Sequence, residues 1–297
     1  LGDVYKRQPE CQYLKNKPTR ASCLCRAQLY RTHNQMTESL FTFPAIDPVA
    51  IALGPVQIRW YALAYVAGLI GGWWVTRRQI RAGQSVLDNN QLDGLLNACL
   101  IGILLGGRLG YVLFYNPAAY LAAPLDILKV WEGGMSFHGG LIGVMVAMFI
   151  YAKNKGYQFF QITDWIAPQI PIALFLGRIA NFINAELYGR ETDVAWGMIF
   201  PTDPDALIRH PSQIYEALLE GLLLFVFLNF IIKATEKVGR HSAYFLIGYG
   251  IARSIAEIFR TPDLVWGNDF LLFSFMTQGQ LLCVPMIILG LFILSKK

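Results

Sequence analysis

Apolar runs of about 20 residues recur through most of this chain, and a bilayer's hydrocarbon core demands that length of a spanning helix. Inside lipid every backbone amide must find its partner within the protein, so such runs fold as helices. They lie near residues 56–75, 94–115, 135–152, 160–183, 212–232, 242–260 and 277–295. The expected fold is an all-α integral membrane protein with about seven transmembrane helices. Pro168 and Pro171 break the fourth run, which requires neighbouring groups to satisfy the freed backbone. Charged residues make up 15% of the chain, well below the roughly 25% of a soluble domain.

The first 35 residues do not belong to this pattern. They are polar and basic, show neither a helical nor a strand period, and lack the apolar core of a signal peptide. We read residues 1–35 as an atypical leader, either non-native sequence upstream of Met36 or a disordered basic arm. Residues 36–297 then form one polytopic membrane domain. Its lead, 36–55, is expected to be extended or interfacial, since Pro44, Pro48 and Pro55 oppose a helix. The leader's seven Lys/Arg against two Asp/Glu account for the whole net charge of +5, because the rest holds 18 of each sign. No basic face for nucleic acid is implied. Cys99 and Cys283 sit singly in apolar runs as small core residues, and Cys23 and Cys25 match no zinc or redox spacing. No metal or cofactor is expected.

Orientation follows from the positive-inside bias of short loops. Arg77, Arg78, Arg81, Lys153, Lys155, Lys233, Lys237, Arg240, Lys296 and Lys297 fall on one side of a seven-span topology. That side is expected to be cytoplasmic, with the start of the domain periplasmic and the C-terminus cytoplasmic. The longest outer connection, 184–211, is expected to form a small periplasmic head. Glycine pairs Gly68/Gly72, Gly106/Gly110 and Gly139/Gly143 have the spacing that lets helices approach closely in lipid, and packing is their expected role.

Charge inside these apolar runs is the main pointer to function. A charged side chain near the middle of a membrane helix costs roughly 3 kcal/mol on insertion scales, so it marks a site unless it escapes to the headgroups. The stretch from Gly177 to Arg190 holds Arg178, Asn181, Asn184, Glu186 and Arg190 at the end of an apolar run. Arg178, Asn181 and Ala185 are helically spaced, so Arg178 and Asn181 share a face. Arginine presents a planar fork of donors suited to phosphate. Arg253 and Glu257, four apart in the sixth run, can pair on one face, either as a structural ion pair or as an oriented anion site. Arg108 is a third intramembrane arginine, one with an interface within its reach. His138 is the one histidine inside a membrane run, and an imidazole near neutral pKa either accepts a proton or serves packing and hydrogen bonding. Tyr61, beside Trp60, reads by default as an interfacial anchor. Arg209-His210-Pro211-Ser212-Gln213 reads as structural, with Pro211 in a first helical turn and Ser212 or the preceding residues as cap. No H-E-x-x-H, G-x-S-x-G, phosphate-loop or C-x-x-C pattern is present, which argues against metalloprotease, serine hydrolase, nucleotide-driven and redox chemistry.

The same stretch, G-R-x-A-N-F-I-N-x-E-x-x-G, resembles the signature of the prolipoprotein diacylglyceryl transferases of bacterial inner membranes. Gly177, Arg178, Ala180, Asn181, Phe182, Ile183, Asn184, Glu186, Gly189 and Arg190 fit it. Trp60-Tyr61, Gly106–Tyr111, Ser136–Gly140, Arg209–Gln213 and Gly248-Tyr249-Gly250 with Arg253 and Glu257 follow in the family's order, and the resemblance runs from about Met36 to the C-terminus. It implies transfer of the diacylglyceryl group of phosphatidylglycerol to the lipobox cysteine of a prolipoprotein signal peptide, in the inner membrane, without a cofactor. Under it, His138, Arg178, Arg253 and Tyr61 are the candidate catalytic residues. Arg178, Asn181, Asn184, Glu186, Gly189 and Glu257 are the candidate substrate-binding residues. Either His138 or Arg253 activates the thiol. The competing class is a carrier or flippase for an anionic lipid, which would use the same arginines without making a bond. A paired broken helix in a second, inverted half would favour it, and none is seen. A purely structural scaffold leaves the intramembrane arginines unexplained.

Overall fold

The computed structural model describes residues 41–44, 46–53, 56–85, 87–232, 237–261 and 276–296. The atypical leader 1–35 and most of the 261–276 connection, expected to be an outer loop, lie outside these residues. Among them the chain is mostly helical, with seven long helices: α1 Trp60–Arg81, α2 Asn89–Phe114, α3 Phe137–Lys155, α4 Phe159–Ile183, α5 Ser212–Ile231, α6 Arg240–Phe259 and α7 Gln278–Ser295. Four of them, α2, α4, α5 and α7, are both long and apolar enough to cross a membrane. Large apolar side chains such as Leu105, Leu113, Phe230 and Ile231 point outward, as lipid contact allows and water discourages.

The first helix departs from its expected bounds. It begins at Trp60 and carries Arg77, Arg78 and Arg81 in its own final turns, where Arg77 and Arg78 lie over the Trp73 and Trp74 rings at 4.6 and 4.7 Å. Ahead of it, β1 Val49–Leu53 and β2 Val56–Arg59 form an antiparallel hairpin with Ile51 opposite Ile58. A second two-stranded unit, β3 Met198–Ile199 and β4 Ile208–Arg209, lies in the 184–211 connection. The all-α expectation is amended by these two small sheets.

Glycine sets the closest helix contacts. A Cβ on Gly110 would lie 2.7 Å from the Gly139 Cα, and one on Gly68 would lie 2.8 Å from Ala173, so α2 meets α3 and α1 meets α4 backbone to backbone. Gly221 of α5 similarly faces Phe175 of α4, where a Cβ would sit 2.8 Å from the Phe175 Cα. The proline break in α4 appears as a 3₁₀ turn at Ala167–Gln169, and the Pro168 carbonyl accepts a hydrogen bond from Asn229 Nδ2 at 2.8 Å. Asp164, one turn earlier, caps the next helix but one: its carboxylate accepts from the Gly239 and Ser242 amides at 2.5 and 2.8 Å at the start of α6.

Arg108 is enclosed by the protein itself. It is 4% exposed and donates from Nε to Ile127 O (2.9 Å), from Nη2 to Asp126 O (2.6 Å) and from Nη1 to Gly133 O (2.5 Å), beneath the Tyr120 ring. It ties the 116–134 connection to α2.

Candidate active site

Two glutamates that the sequence reading passed over are the centre of the site. Glu216 and Glu220 lie on α5, are fully buried, and flank the start of a π-helical stretch, Ala217–Leu223. Such widened turns are rare and recur at functional sites. The rule that singled out Arg178, a charge inside an apolar run, applies to both glutamates equally.

Arg178 of α4 meets Glu216 Oε2 through Nε at 2.7 Å and Glu220 Oε2 through Nη2 at 3.5 Å. Arg253 of α6 meets the same Glu216 Oε2 through Nη1 at 3.0 Å, and Glu220 Oε1 at 3.5 Å. Its Nη2 pairs with Glu257 Oε2 at 2.8 Å, the i,i+4 contact expected from sequence. Arg260, also missed, closes the group at 3.7 Å from Glu216 and 3.9 Å from Glu257. Three guanidinium groups thus face three carboxylates. Burial of such charge is tolerated because each ion lies against an opposite one, and loss of any member leaves its partners uncompensated. Small residues permit the assembly: Ala217 on α5 and Ala256 on α6 are almost wholly buried.

Arg178 keeps its Nη1 outside these contacts, and its side chain is 18% exposed, so one edge of its fork stays available to an anion. Beside it, Glu186 accepts hydrogen bonds from Asn181 Nδ2 at 2.8 Å and Asn184 Nδ2 at 3.2 Å. Ala185 does not share the helical face with Arg178, because α4 ends at Ile183 and Ala185 has a positive φ of 54°. Tyr61, half exposed at the start of α1, stands in the electrostatic field of both Glu186 and Arg178 and exchanges a hydrogen bond with Tyr65 at 2.9 Å. Gly189 donates to His210 O at 2.8 Å, and a Cβ there would run into the Phe259 carbonyl oxygen, so only glycine fits.

His138 is not part of this cluster. It is exposed in the first turn of α3, its ring meets Phe137 at 5.5 Å, and no hydrogen bond or ion pair reaches it among the described residues. Glu257, by contrast, lies within the cluster, paired with Arg253. The Arg209–Gln213 motif differs from expectation: Pro211 precedes the helix and Ser212 does not cap it.

The 184–211 segment packs against the cluster, with Gly189 bridged to Arg260 and Arg190 N donating to Phe259 O at 2.9 Å. Phe200, 1% exposed, stacks on Tyr188 at 5.3 Å and touches Phe43 at 5.3 Å. Arg209 pairs with Asp203 at 2.6 Å and lies over Tyr188. Burial alone would raise the Asp203 pKa, but the hydrogen bonds from Arg209, Leu207 and Asp205 outweigh it and hold the carboxyl below its usual range. Burial lowers the His210 pKa, and Asp193 opposes the shift.

Comparison with known proteins gives concordant matches. The family model described as Prolipoprotein diacylglyceryl transferase matches residues 48–296. A phosphatidylglycerol--prolipoprotein diacylglyceryl transferase of Ectopseudomonas mendocina (strain ymp) is 50% identical over 252 residues, 85% of this chain and 94% of the relative. Proteins of the same name from Methylococcus capsulatus and Rhodospirillum centenum are 45% identical over 257 residues and 51% identical over 260. These alignments cover 86% of this chain in both cases, and 97% and 92% of the respective relatives.

Proposed function

The chain belongs to the prolipoprotein diacylglyceryl transferase family, and from that premise we propose that it transfers the diacylglyceryl group of phosphatidylglycerol to the lipobox cysteine thiol of a prolipoprotein. The carbon–oxygen bond to the phosphate breaks, a thioether carbon–sulfur bond forms, glycerol phosphate leaves, and the thiol gives up its proton. This is the first step of bacterial lipoprotein maturation. The observation that carries the reading is the convergence of Arg178 and Arg253, from two helices, on one buried carboxylate, with an edge of Arg178 left over. A lipid phosphate at headgroup depth calls for such donors. The nucleophile belongs to the substrate, so the chain needs no catalytic serine or cysteine of its own.

In this reading Arg178 and Arg253 hold the phosphate and stabilise charge on the leaving group. Glu216 and Glu220 fix the two forks, and Glu257 orients Arg253. Asn181, Asn184, Glu186 and Gly189 shape the headgroup site, and Tyr61 positions lipid or thiol. His138 takes the thiol proton, with Arg253 the alternative activator. All seven long helices span the inner membrane. The basic ends of α1 and α3, the start of α6 and the end of α7 face the cytoplasm, and the 184–211 head faces the periplasm.

The test uses purified protein in detergent or vesicles with phosphatidylglycerol and a peptide bearing a lipobox cysteine. Mass spectrometry should find the diacylglyceryl mass on the Cys peptide and not on its Cys→Ser counterpart. Arg178→Ala should insert normally and transfer nothing. Full activity in that variant would sink the phosphate-holding role, and bound phosphatidylglycerol without product would point to a carrier instead.

A further inference from the structure

Three consecutive backbone carbonyls around Glu186 are each held by a side chain from elsewhere. Ala185 O accepts from Thr202 Oγ1, Glu186 O accepts from Gln213 Nε2 at 2.7 Å, and Leu187 O accepts from Ser212 Oγ at 3.1 Å. Ala185 and Leu187 have φ of 54° and 58°. At Ala185 this is the ordinary left-handed close of α4, with Ala185 N donating to Phe182 O at 2.9 Å and Glu186 N to Asn181 O at 3.0 Å, whereas Leu187 lies beyond that helix end. Leu187 is not glycine, so its conformation is sterically disfavoured. Such strain persists only where the surroundings over-determine it, and it clusters at functional sites. Ser212 and Gln213 are 0% and 1% exposed, and no helix cap explains them.

Glu186 lies between the close of α4 at Ala185 and the strained Leu187, and its carboxylate receives Asn181 and Asn184. Its direction is fixed by the backbone on either side of it. We propose that Ser212 and Gln213 are positioning residues that clamp the left-handed backbone at Leu187 and so aim Glu186 at the two asparagines. The proposal rests on the transferase reading, in which Glu186 shapes the phosphatidylglycerol site. Without a clamp, Leu187 relaxes to negative φ and the Glu186 carboxylate swings off Asn181.

Glycine adopts left-handed backbone without penalty and needs no clamp. Removal of a clamp should therefore be rescued by glycine at the residue it restrains. The experiment measures kcat and KM for phosphatidylglycerol, with the lipobox peptide, alongside Tm. Ser212→Ala should lower kcat/KM at least tenfold with little change in Tm, and adding Leu187→Gly should restore most of the loss. Gln213→Met with Leu187→Gly repeats the test independently, and it decides the matter if Ser212→Ala does not fold. Wild-type turnover in Ser212→Ala and Gln213→Met, or glycine doubles no better than the single variants, overturns the proposal. A merely structural hydrogen bond would lower Tm and activity together without rescue. An unmodified chain that makes no thioether product refutes the transferase reading and takes this inference with it.

Discussion

Glu216 is the member of the ion cluster whose removal should do most. Its Oε2 is 2.7 Å from Arg178 and 3.0 Å from Arg253, while Arg260 is 3.7 Å from Oε1, and the glutamate itself is 0% exposed. Glu216→Ala leaves three guanidinium groups facing two carboxylates, with Arg178 holding only its 3.5 Å contact to Glu220. Breaking a buried pair from one side typically costs about 3–5 kcal/mol, because the partner charge stays buried. For a domain of 150–250 residues each kcal/mol moves Tm by about 2–4 °C, so the expected loss is about 6–20 °C. Glu216→Gln keeps size and one acceptor oxygen and should fall in the lower half of that range. Transfer should drop in both variants, since two forks lose their common anchor. The assay is thermal unfolding in one detergent, followed by lipobox-peptide turnover at a temperature where all three proteins stay folded. A Glu216→Ala protein within 2 °C of wild type with unchanged kcat/KM would refute the idea that this carboxylate organises the arginines.

Other outcomes follow from the same geometry. Asp203 has a folded-state pKa below its usual 3.8, so its stabilising pair with Arg209 is complete above that value and is lost as the pH falls through the folded pKa. Wild type should therefore exceed Asp203→Asn in Tm at pH 7 by a margin that shrinks below pH 3.8, and a margin independent of pH would contradict this. Arg108→Lys replaces a fork that spans the Asp126, Ile127 and Gly133 carbonyls with one compact ammonium, at a cost on the order of 3 kcal/mol. Limited proteolysis should then cut within 116–134, and an unchanged digestion pattern would show that the loop does not depend on Arg108.

What the sequence determined is local. Apolar run length sets the helices, because lipid leaves the backbone no other way to satisfy its hydrogen bonds. The i,i+4 spacing of Arg253 and Glu257 sets their pairing. The signature from Gly177 to Arg190 identified the family, and the proline break in the fourth run was visible as well. What tertiary structure decided is which face of each helix meets which neighbour. Membrane helices that are apolar all round carry no strong amphipathic period to report their rotation, and close contacts at small residues fix it instead. That packing brings Arg178 and Arg253, 75 positions apart in sequence, onto Glu216, and sends Ser212 and Gln213 back to the Leu187 and Glu186 carbonyls rather than into a helix cap. It also gives Arg108 a carbonyl cage that spacing alone did not suggest. Charge in an apolar run says that a partner must exist, and only the fold chooses the partner, because the pairing energy is collected across helices and not along them.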